Sequence, residues 1–298
     1  MQKLVWAITR KIYDSLGPVK SWKLAMSPPV AFALQIIAKI AGDRTIPFTT
    51  KYGLTFKLRL SDILFGGFLH LGESNPLEMH VLRRILRPND VVIDAGANVG
   101  WYALNAAQVV GSGGQVCSFE PNPAVADWAS ENCRLNNLTN VRIEKIALAD
   151  KVGRLEFYIG DNFGSLVQRV ARLASRNMKR MNVSVTTIDA YAKRVHIKKI
   201  RLIKVDVEGK DLEVLQGARQ TLRRHHPYLI VEVFGLSWDT DAGRDKKILA
   251  YLKKLGYHAY AFVQGGLQSY NPRSGQPQII NLFFASDTDE LTQLHLLT

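Results

Sequence analysis

Residues 91–103, VVIDAGANVGWYA, constrain the fold more than any other stretch. Four residues of strand type end on an acid, Asp94. Gly96, Asn98 and Gly100 follow at every second position, and WYALNAA then reads as a helix. A strand that passes into a helix through a loop of small residues belongs to a sheet with helices packed on it. Gly96 and Gly100 let the backbone approach a ligand with no Cβ in the way. Asn98 tolerates unusual φ and can cap a helix predicted over 99–109.

The rest of the chain repeats this alternation. Strands are predicted at 115–119, 141–146, 183–187, 201–206 and 228–233, with an edge strand near 154–159. Helices are predicted at 76–86, 123–136, 188–194, 210–224 and 242–255, and residues 161–181 read as irregular or helical. The closing strands, 257–263 and 278–285, are joined by GGLQSYNPRSGQP without a helix and should pair antiparallel. The expected fold is therefore α/β and Rossmann-like: a mostly parallel sheet that ends in a reversed hairpin.

Ahead of this core, Gly17-Pro18 and Pro28-Pro29 break the first 45 residues into short helical pieces. IPFTTKYGLTFKLRL, residues 46–60, alternates apolar and polar positions about Tyr52-Gly53 and reads as a small hairpin; residues 62–70 read as helical. The division is a basic N-terminal extension over 1–60 and one α/β domain over 61–298. The 298 residues are 47% hydrophobic, enough for one large core.

Charge separates the two parts. Residues 1–60 hold ten Lys/Arg against two acids, which is +8 of the chain's +13. Such a front can meet nucleic acid, an anionic membrane or an acidic substrate. Leu4, Ile8, Ile12 and Leu16 recur four apart, so residues 1–16 form an amphipathic pattern that docks on its own domain or lies on a membrane. Lys3, Arg10 and Lys11 interrupt it too early for a secretory signal, and the apolar run at 30–38 is too short to span a bilayer. Cys117 and Cys133 provide no disulfide framework. The expected location is cytoplasmic, with peripheral contact at the inner membrane face as a further reading.

In a sheet of this kind a ligand binds beyond the carboxyl ends of the strands, where the strand order reverses. Glu120 ends the next strand, 20 residues after Gly100. A carboxylate there can accept both hydrogen bonds of a ribose diol. A dinucleotide site would read GxGxxG and bring a pyrophosphate to the helix N-terminus. This loop reads GxNxG after an acid, which suits a ligand carrying an ammonium and a sulfonium: S-adenosylmethionine, with Asp94 toward its methionine portion. A plain structural turn beside a surface glutamate is the competing reading. Asp150, closing the turn Ala147-Leu148-Ala149, can accept from the adenine amine if these residues form its slot.

LIKVDVEG, residues 202–209, brings Asp206 and Glu208 to the tip of a strand across the switch point. With Glu232, at the end of 228–233, they are candidates to take a proton from an acceptor hydroxyl. Helix capping is the alternative for Glu208. Three carboxylates can also ligate a divalent cation; no metal is assigned. Lys204 is expected on the opposite face, in solvent. Arg169, Arg172 and Arg176 in the basic segment 169–180 would share a helix face, able to recognise phosphate or an acidic glycan, or simply solvated.

DAGANVGWY, FEPNP, NNLTNV, IALAD and LIKVDVEGKDLEVLQGA together resemble the FkbM family of S-adenosylmethionine-dependent methyltransferases over about residues 76–235. The resemblance implies a seven-stranded class I methyltransferase sheet and O-methylation, often of sugar hydroxyls in glycans, glycolipids or natural products. It implies cofactor contacts at Asp94, Gly96, Asn98, Gly100 and Glu120, with Asp206 and Glu208 near the acceptor. Residues 1–60 and the arginine segment fall outside it. An RNA methyltransferase and a non-catalytic cofactor-binding scaffold at a membrane are the alternatives. Against RNA, the sequence carries no appended RNA-binding module and no NPPY-type motif.

Overall fold

The computed structural model describes residues 45–59, 76–159, 164–165, 178–234, 243–271 and 279–298. The amphipathic stretch 1–16, the helix read at 62–70 and residues 169–177 of the arginine segment lie outside them. The chain divides into two compact units.

In the first unit, β1 (Thr45–Thr49) and β2 (Thr55–Arg59) form the expected hairpin, antiparallel, with Thr49 opposite Thr55. Gly53, at φ +80°, makes the turn that a side chain would resist. Glu131–Asn137 belong to the same unit. There the amide oxygens of Asn136 and Asn132 accept the N–H groups of Thr55 and Lys57, at 2.7 and 2.8 Å. Strand-edge donors are thus satisfied by side chains.

The second unit holds the remaining strands. They are β3 (Val91–Ala95), β4 (Gln115–Phe119), β5 (Val141–Glu144), β6 (Ala147–Leu148), β7 (Gly153–Ile159), β8 (Gly164–Ser165) and β9 (Lys179–Thr186). Then come β10 (Leu202–Val205), β11 (Tyr228–Phe234), β12 (His258–Val263), β13 (Gly266–Ser269) and β14 (Ile279–Ala285). The main sheet runs β13-β12-β14-β11-β10-β3-β4-β5. Its five strands from β5 to β11 are parallel. β14 inserts antiparallel between β11 and β12, the reversal expected from the missing helix.

The sheet has eight strands where seven were expected. The extra one, β13, folds back on β12 with Val263 opposite Gly266. Gly265 at φ +90° permits that two-residue turn, inside a stretch read as loop. A second correction concerns 154–159. β7 is no edge of the main sheet: it pairs with β9 in a separate sheet, β6-β9-β7-β8. The helix predicted over 210–224 is two, Asp211–Gln216 and Arg219–His225. They part at Gly217, where a Cβ would stand 2.1 Å from the carbonyl oxygen of Ala149.

Ile93, Phe119, Tyr191, Ile203, Leu229 and Phe284 are buried in one continuous core. Each such side chain contributes about 1.5–3 kcal/mol. Cys117 and Cys133 are buried free thiols. At the amino-terminal ends of the strands, Glu290 accepts hydrogen bonds from Arg201 and from Tyr228 and pairs with Arg87. Among the described residues no helix is long and apolar enough to cross a membrane.

Candidate active site

The chain order reverses at β3, whose neighbours are β4 on one side and β10 on the other, so the tips of these strands face the crevice expected of such sheets. Asp94 is the fourth residue of β3, in register with Lys204 of β10 and Ser118 of β4. It is 1% exposed. Ser118 Oγ donates to its Oδ2 at 3.3 Å, while its buried Oδ1 has no hydrogen-bond partner. Burial raises this carboxyl to about 6, against the pull of Lys204 and Ser118.

The loop after β3 is held from β4: the N–H groups of Gly96 and Ala97 both donate to the carbonyl of Phe119 at 3.0 Å. Gly96, Asn98 and Gly100 all take positive φ, +85°, +47° and +90°. Helix Trp101–Val110 starts from Gly100, with no side-chain cap. The capping role expected of Asn98 is therefore not its own. Asn98 instead turns its N–H toward Glu120 Oε2, at 3.1 Å. Asn122 N–H donates to the other oxygen, Oε1, at 2.9 Å. Two backbone donors so fix the Glu120 carboxyl, which burial nevertheless raises to about 7.

Gly96, Asn98, Glu120, Asp206 and Glu208 line one cleft of about 790 Å³, part of it open to solvent. Phe119, Val125, Ala147, Leu148 and Phe157 supply an apolar wall. Asp94, Gly100 and Glu232 are not in the lining. Neither is Asp150, which is exposed.

The tip of β10 gathers the remaining acids. Lys204 corrects the sequence reading: it is buried, 1% exposed, with Nζ 3.0 Å from Asp206 Oδ2 and 4.8 Å from the ring centre of Tyr102. Burial works against the charge of Asp206, but Lys204 holds this carboxyl below the ordinary aspartate range. Glu232 is pushed well above the glutamate range by burial and then by Asp206 and Glu208. Glu208 sits at φ +54° and is raised to about 8 by burial, then by Asp206 and Asp211. Asp211 is buried and accepts the N–H groups of Val207 and Gly209 at 3.0 and 3.3 Å, which shapes the turn carrying Glu208. Among the described residues no group of three or more His, Cys, Asp or Glu is disposed to hold a metal ion.

Three residues that sequence reasoning passed over complete the cluster. Glu78, from helix Pro76–Ile85, is buried; it accepts from Tyr102 Oη and, at 2.9 Å, from Asn281 Nδ2. Burial raises it, Lys204 opposing. No sequence signal marks these three, whereas Lys204 and Asp206, two apart on the predicted strand, already share one face.

A parallel sheet with one reversed strand inserted at its end, and a glycine loop and acids at the switch point, defines the class I α/β methyltransferase architecture. Residues 94–259 match the family model described as Methyltransferase FkbM domain, and the chain belongs to that family. The 2-O-methyltransferase NoeI of Sinorhizobium fredii is 27% identical over 166 residues, 51% of this chain and 67% of that protein. The hexuronic acid methyltransferase AglP of Haloferax volcanii is 28% identical over 159 residues, 52% of this chain and 62% of that one. The crystal structure of the methyltransferase FkbM from Methylobacillus flagellatus shares 16% identity over 85% of this chain and 58% of its own, with a TM-score of 0.43.

Proposed function

We propose that this chain transfers a methyl group from S-adenosylmethionine to a hydroxyl oxygen, the acceptor being a sugar within a glycan, glycolipid or related natural product. The family supports methyl transfer. The relatives named for 2-O- and hexuronic acid methylation support oxygen and sugar. One observation carries the reading: a carboxyl fixed by two backbone donors, Glu120, shares a cleft with the acids that end β10.

The residues fit the cofactor by their chemistry. Each oxygen of Glu120 keeps a second lone pair after accepting one N–H, so the pair can receive both ribose hydroxyls. The buried, unpartnered Oδ1 of Asp94 is suited to the donor's ammonium, directly or through water. Phe119, Val125, Ala147, Leu148 and Phe157 offer a flat ring apolar cover; Asp150, exposed and outside the lining, is the weakest of the proposed contacts. When bound, S-adenosylmethionine supplies an electrophilic methyl carbon on a sulfonium.

The chain's own part is to make an alcohol reactive. Glu208 would accept the proton that the acceptor hydroxyl gives up; its value of about 8 lies near working pH, where a base both accepts and releases. Asp206, held ionised beside Lys204, provides the fixed negative charge that orients the hydroxyl. Glu232 stands behind Asp206 and outside the lining.

The test is methyl transfer from isotope-labelled S-adenosylmethionine into fractionated cell extracts, comparing glycolipid and polysaccharide with RNA. Label in the carbohydrate fractions, lost in Glu208→Gln, supports the proposal. Label in RNA, or none, sinks it. Repeating the assay with chelator decides metal dependence.

A further inference from the structure

Three helices return to the amino-terminal end of the main sheet, and each carries a pair of cations in its last turn. Helix Ile188–Arg194 brings Lys193 and Arg194 there ahead of β10, and helix Arg219–His225 brings Arg223 and Arg224 ahead of β11. Helix Arg244–Lys254 brings Lys253 and Lys254 ahead of β12. β10 and β11 are parallel, and β12 points the same way, because β11 and β12 both run antiparallel to β14. The helices also stand side by side. Asp189, in the first, accepts the N–H groups of Gln220 and Thr221, in the second, both at 2.8 Å. Tyr257 Oη, just past the third, donates to the carbonyl of Leu222 in the second at 3.5 Å. Tyr191, Leu222 and Leu252 lie in one core cluster. The three basic helix ends therefore share one rim of the sheet.

Lys198 and Lys199, in the link that leads into β10, add to this row, and all of these cations are exposed. Among the described residues none of them pairs with an acid; Arg194 lies over the Tyr191 ring. Residues 193–199, 223–226 and 253–258 contain no Asp or Glu. Arg224 and Lys199, from different segments, both help burial to hold His225 below the ordinary histidine value, so their charges act on one place. The acids at this end of the sheet are engaged elsewhere: Glu290 by Arg201 and Arg87, Asp90 by the Arg87 N–H. A cation in a last turn steadies its own helix. Lys198 and Lys199 lie outside any helix and have no such use.

We propose that this rim docks on an anionic lipid bilayer and holds the cleft, at the carboxyl ends of the strands, away from the headgroups. Packed helices stand about 8–10 Å apart, so three helix ends set their charges along about 20 Å. That spacing is close to the screening length at physiological salt, about 8 Å, so the cations attract a charged plane together. Such a plane asks for no groove, and each Lys or Arg beside it favours the bound state about fivefold. A nucleic acid is the weaker fit. Single strands are held by stacking on aromatic rings, and Tyr191, Tyr228 and Tyr257 beside this rim are all buried. A strand held here would also lie at the end of the sheet opposite the cleft. The surface belongs to the unliganded chain and needs neither the methyl donor nor the sugar acceptor.

The experiment is co-sedimentation of the full chain with phosphatidylcholine vesicles, plain or with about one-third phosphatidylglycerol, beside a titration with polyuridylate RNA in the same buffer. The wild type should bind the anionic vesicles, release them as salt rises, and leave the plain ones. Arg224→Gln with Lys253→Gln should weaken that binding about tenfold or more. Lys151→Gln with Arg154→Gln removes two exposed cations from another part of the chain and should change it less than about threefold. This matched pair separates the rim from the general basic charge, that of residues 1–60 included. Should the helix-end pair not fold, Lys198→Gln with Lys199→Gln, outside the helices, answers instead. Equal losses in rim and control pairs, no loss in the rim pair, or no preference for anionic vesicles overturns the proposal. So does tighter binding of RNA than of vesicles that the rim pair abolishes. None of these readouts depends on catalysis, and calorimetry with S-adenosylmethionine tests the cofactor reading separately.

Discussion

The carbonyl oxygen of Asp206 lies 1.9 Å from the point where a Cβ on Gly96 would sit, so the loop after β3 and the tip of β10 meet backbone to backbone. This approach brings the glycine loop and the acids of β10 to the same cleft. A methyl group at Gly96 meets that carbonyl, in a φ region that side chains resist. Gly96→Ala is expected to cost about 2–4 kcal/mol and to abolish measurable S-adenosylmethionine binding in the fraction that folds. Denaturant unfolding and calorimetry check both; a variant with wild-type stability would mean the loop and β10 are not in contact.

Glu120→Gln keeps the shape of the side chain but puts an amide donor where one of two backbone N–H donors now points. It also loses one acceptor for the ribose diol. Binding of S-adenosylmethionine should weaken about 10- to 100-fold, the equivalent of about 1.4–2.8 kcal/mol. Isothermal titration reads this directly, and unchanged affinity would remove Glu120 from the site.

Much of this arrangement was legible because it is local. The strand–loop–helix at 91–103 announces itself through apolar run, glycine spacing and helix pattern, all within 13 residues. Glu120 followed from the same logic one strand later. What escaped depends on distant partners. The β7–β9 pairing closes across an intervening segment, which no local period reveals. Where the helix parts, Gly217 has no room for a Cβ because the Ala149 carbonyl oxygen would stand 2.1 Å away, a contact invisible in LEVLQGARQ. Nothing in the sequence singles out Glu78, and only the fold brings it to Tyr102 and Asn281. Lys204 was misplaced for a different reason: charge was weighed as exposure, although the two-residue spacing to Asp206 already put both on one face.

The buried and half-buried acids give the unliganded chain a pH-dependent stability whose sign can be worked out. Asp94, Glu120 and Glu208 have folded values raised to about 6, about 7 and about 8, and Glu78 and Glu232 are raised as well. Between the ordinary carboxyl range and these values the folded chain binds more protons than the unfolded one. Stability is then fully present below the ordinary values and is lost as pH rises through the raised ones. Asp206 and Glu290, both lowered, act only at the acid end, where their contribution fades as pH falls. His225, lowered, opposes the trend weakly near its ordinary value. The melting temperature should fall by about 5 °C or more from pH 5 to pH 9. A flat or rising curve in thermal melts at fixed ionic strength would show that these acids are not buried as described.

Methyl transfer itself should run the other way with pH. If Glu208 accepts the hydroxyl proton, the reaction needs its carboxylate, and the rate climbs as pH rises through about 8. Glu208→Gln should erase that limb and cut the rate about 10²- to 10⁴-fold, with cofactor affinity nearly unchanged. A wild-type profile flat from pH 6 to pH 9 in the labelled-transfer assay would pass the role to Asp206.

At the opposite end of the sheet, Glu290 offers a control that separates folding from function. It accepts from Arg201 Nη1 at 2.8 Å and from Tyr228 Oη at 2.9 Å, and it pairs with Arg87. Arg201 is anchored in turn to the carbonyl of Ile85 and stands 4.8 Å from the Tyr228 ring centre, so it cannot follow its partner into water without dismantling other contacts. Glu290→Ala leaves that guanidinium, its side chain only 15% exposed, without its closest carboxylate. A loss of about 2–3 kcal/mol is expected, with Glu290→Gln losing less because it still accepts one hydrogen bond. These contacts lie at the amino-terminal ends of β3, β10 and β11, away from the cleft at their carboxyl ends. S-adenosylmethionine affinity should therefore stay within about twofold at temperatures where the variant is folded, and a larger change would show that the two ends of the sheet are coupled.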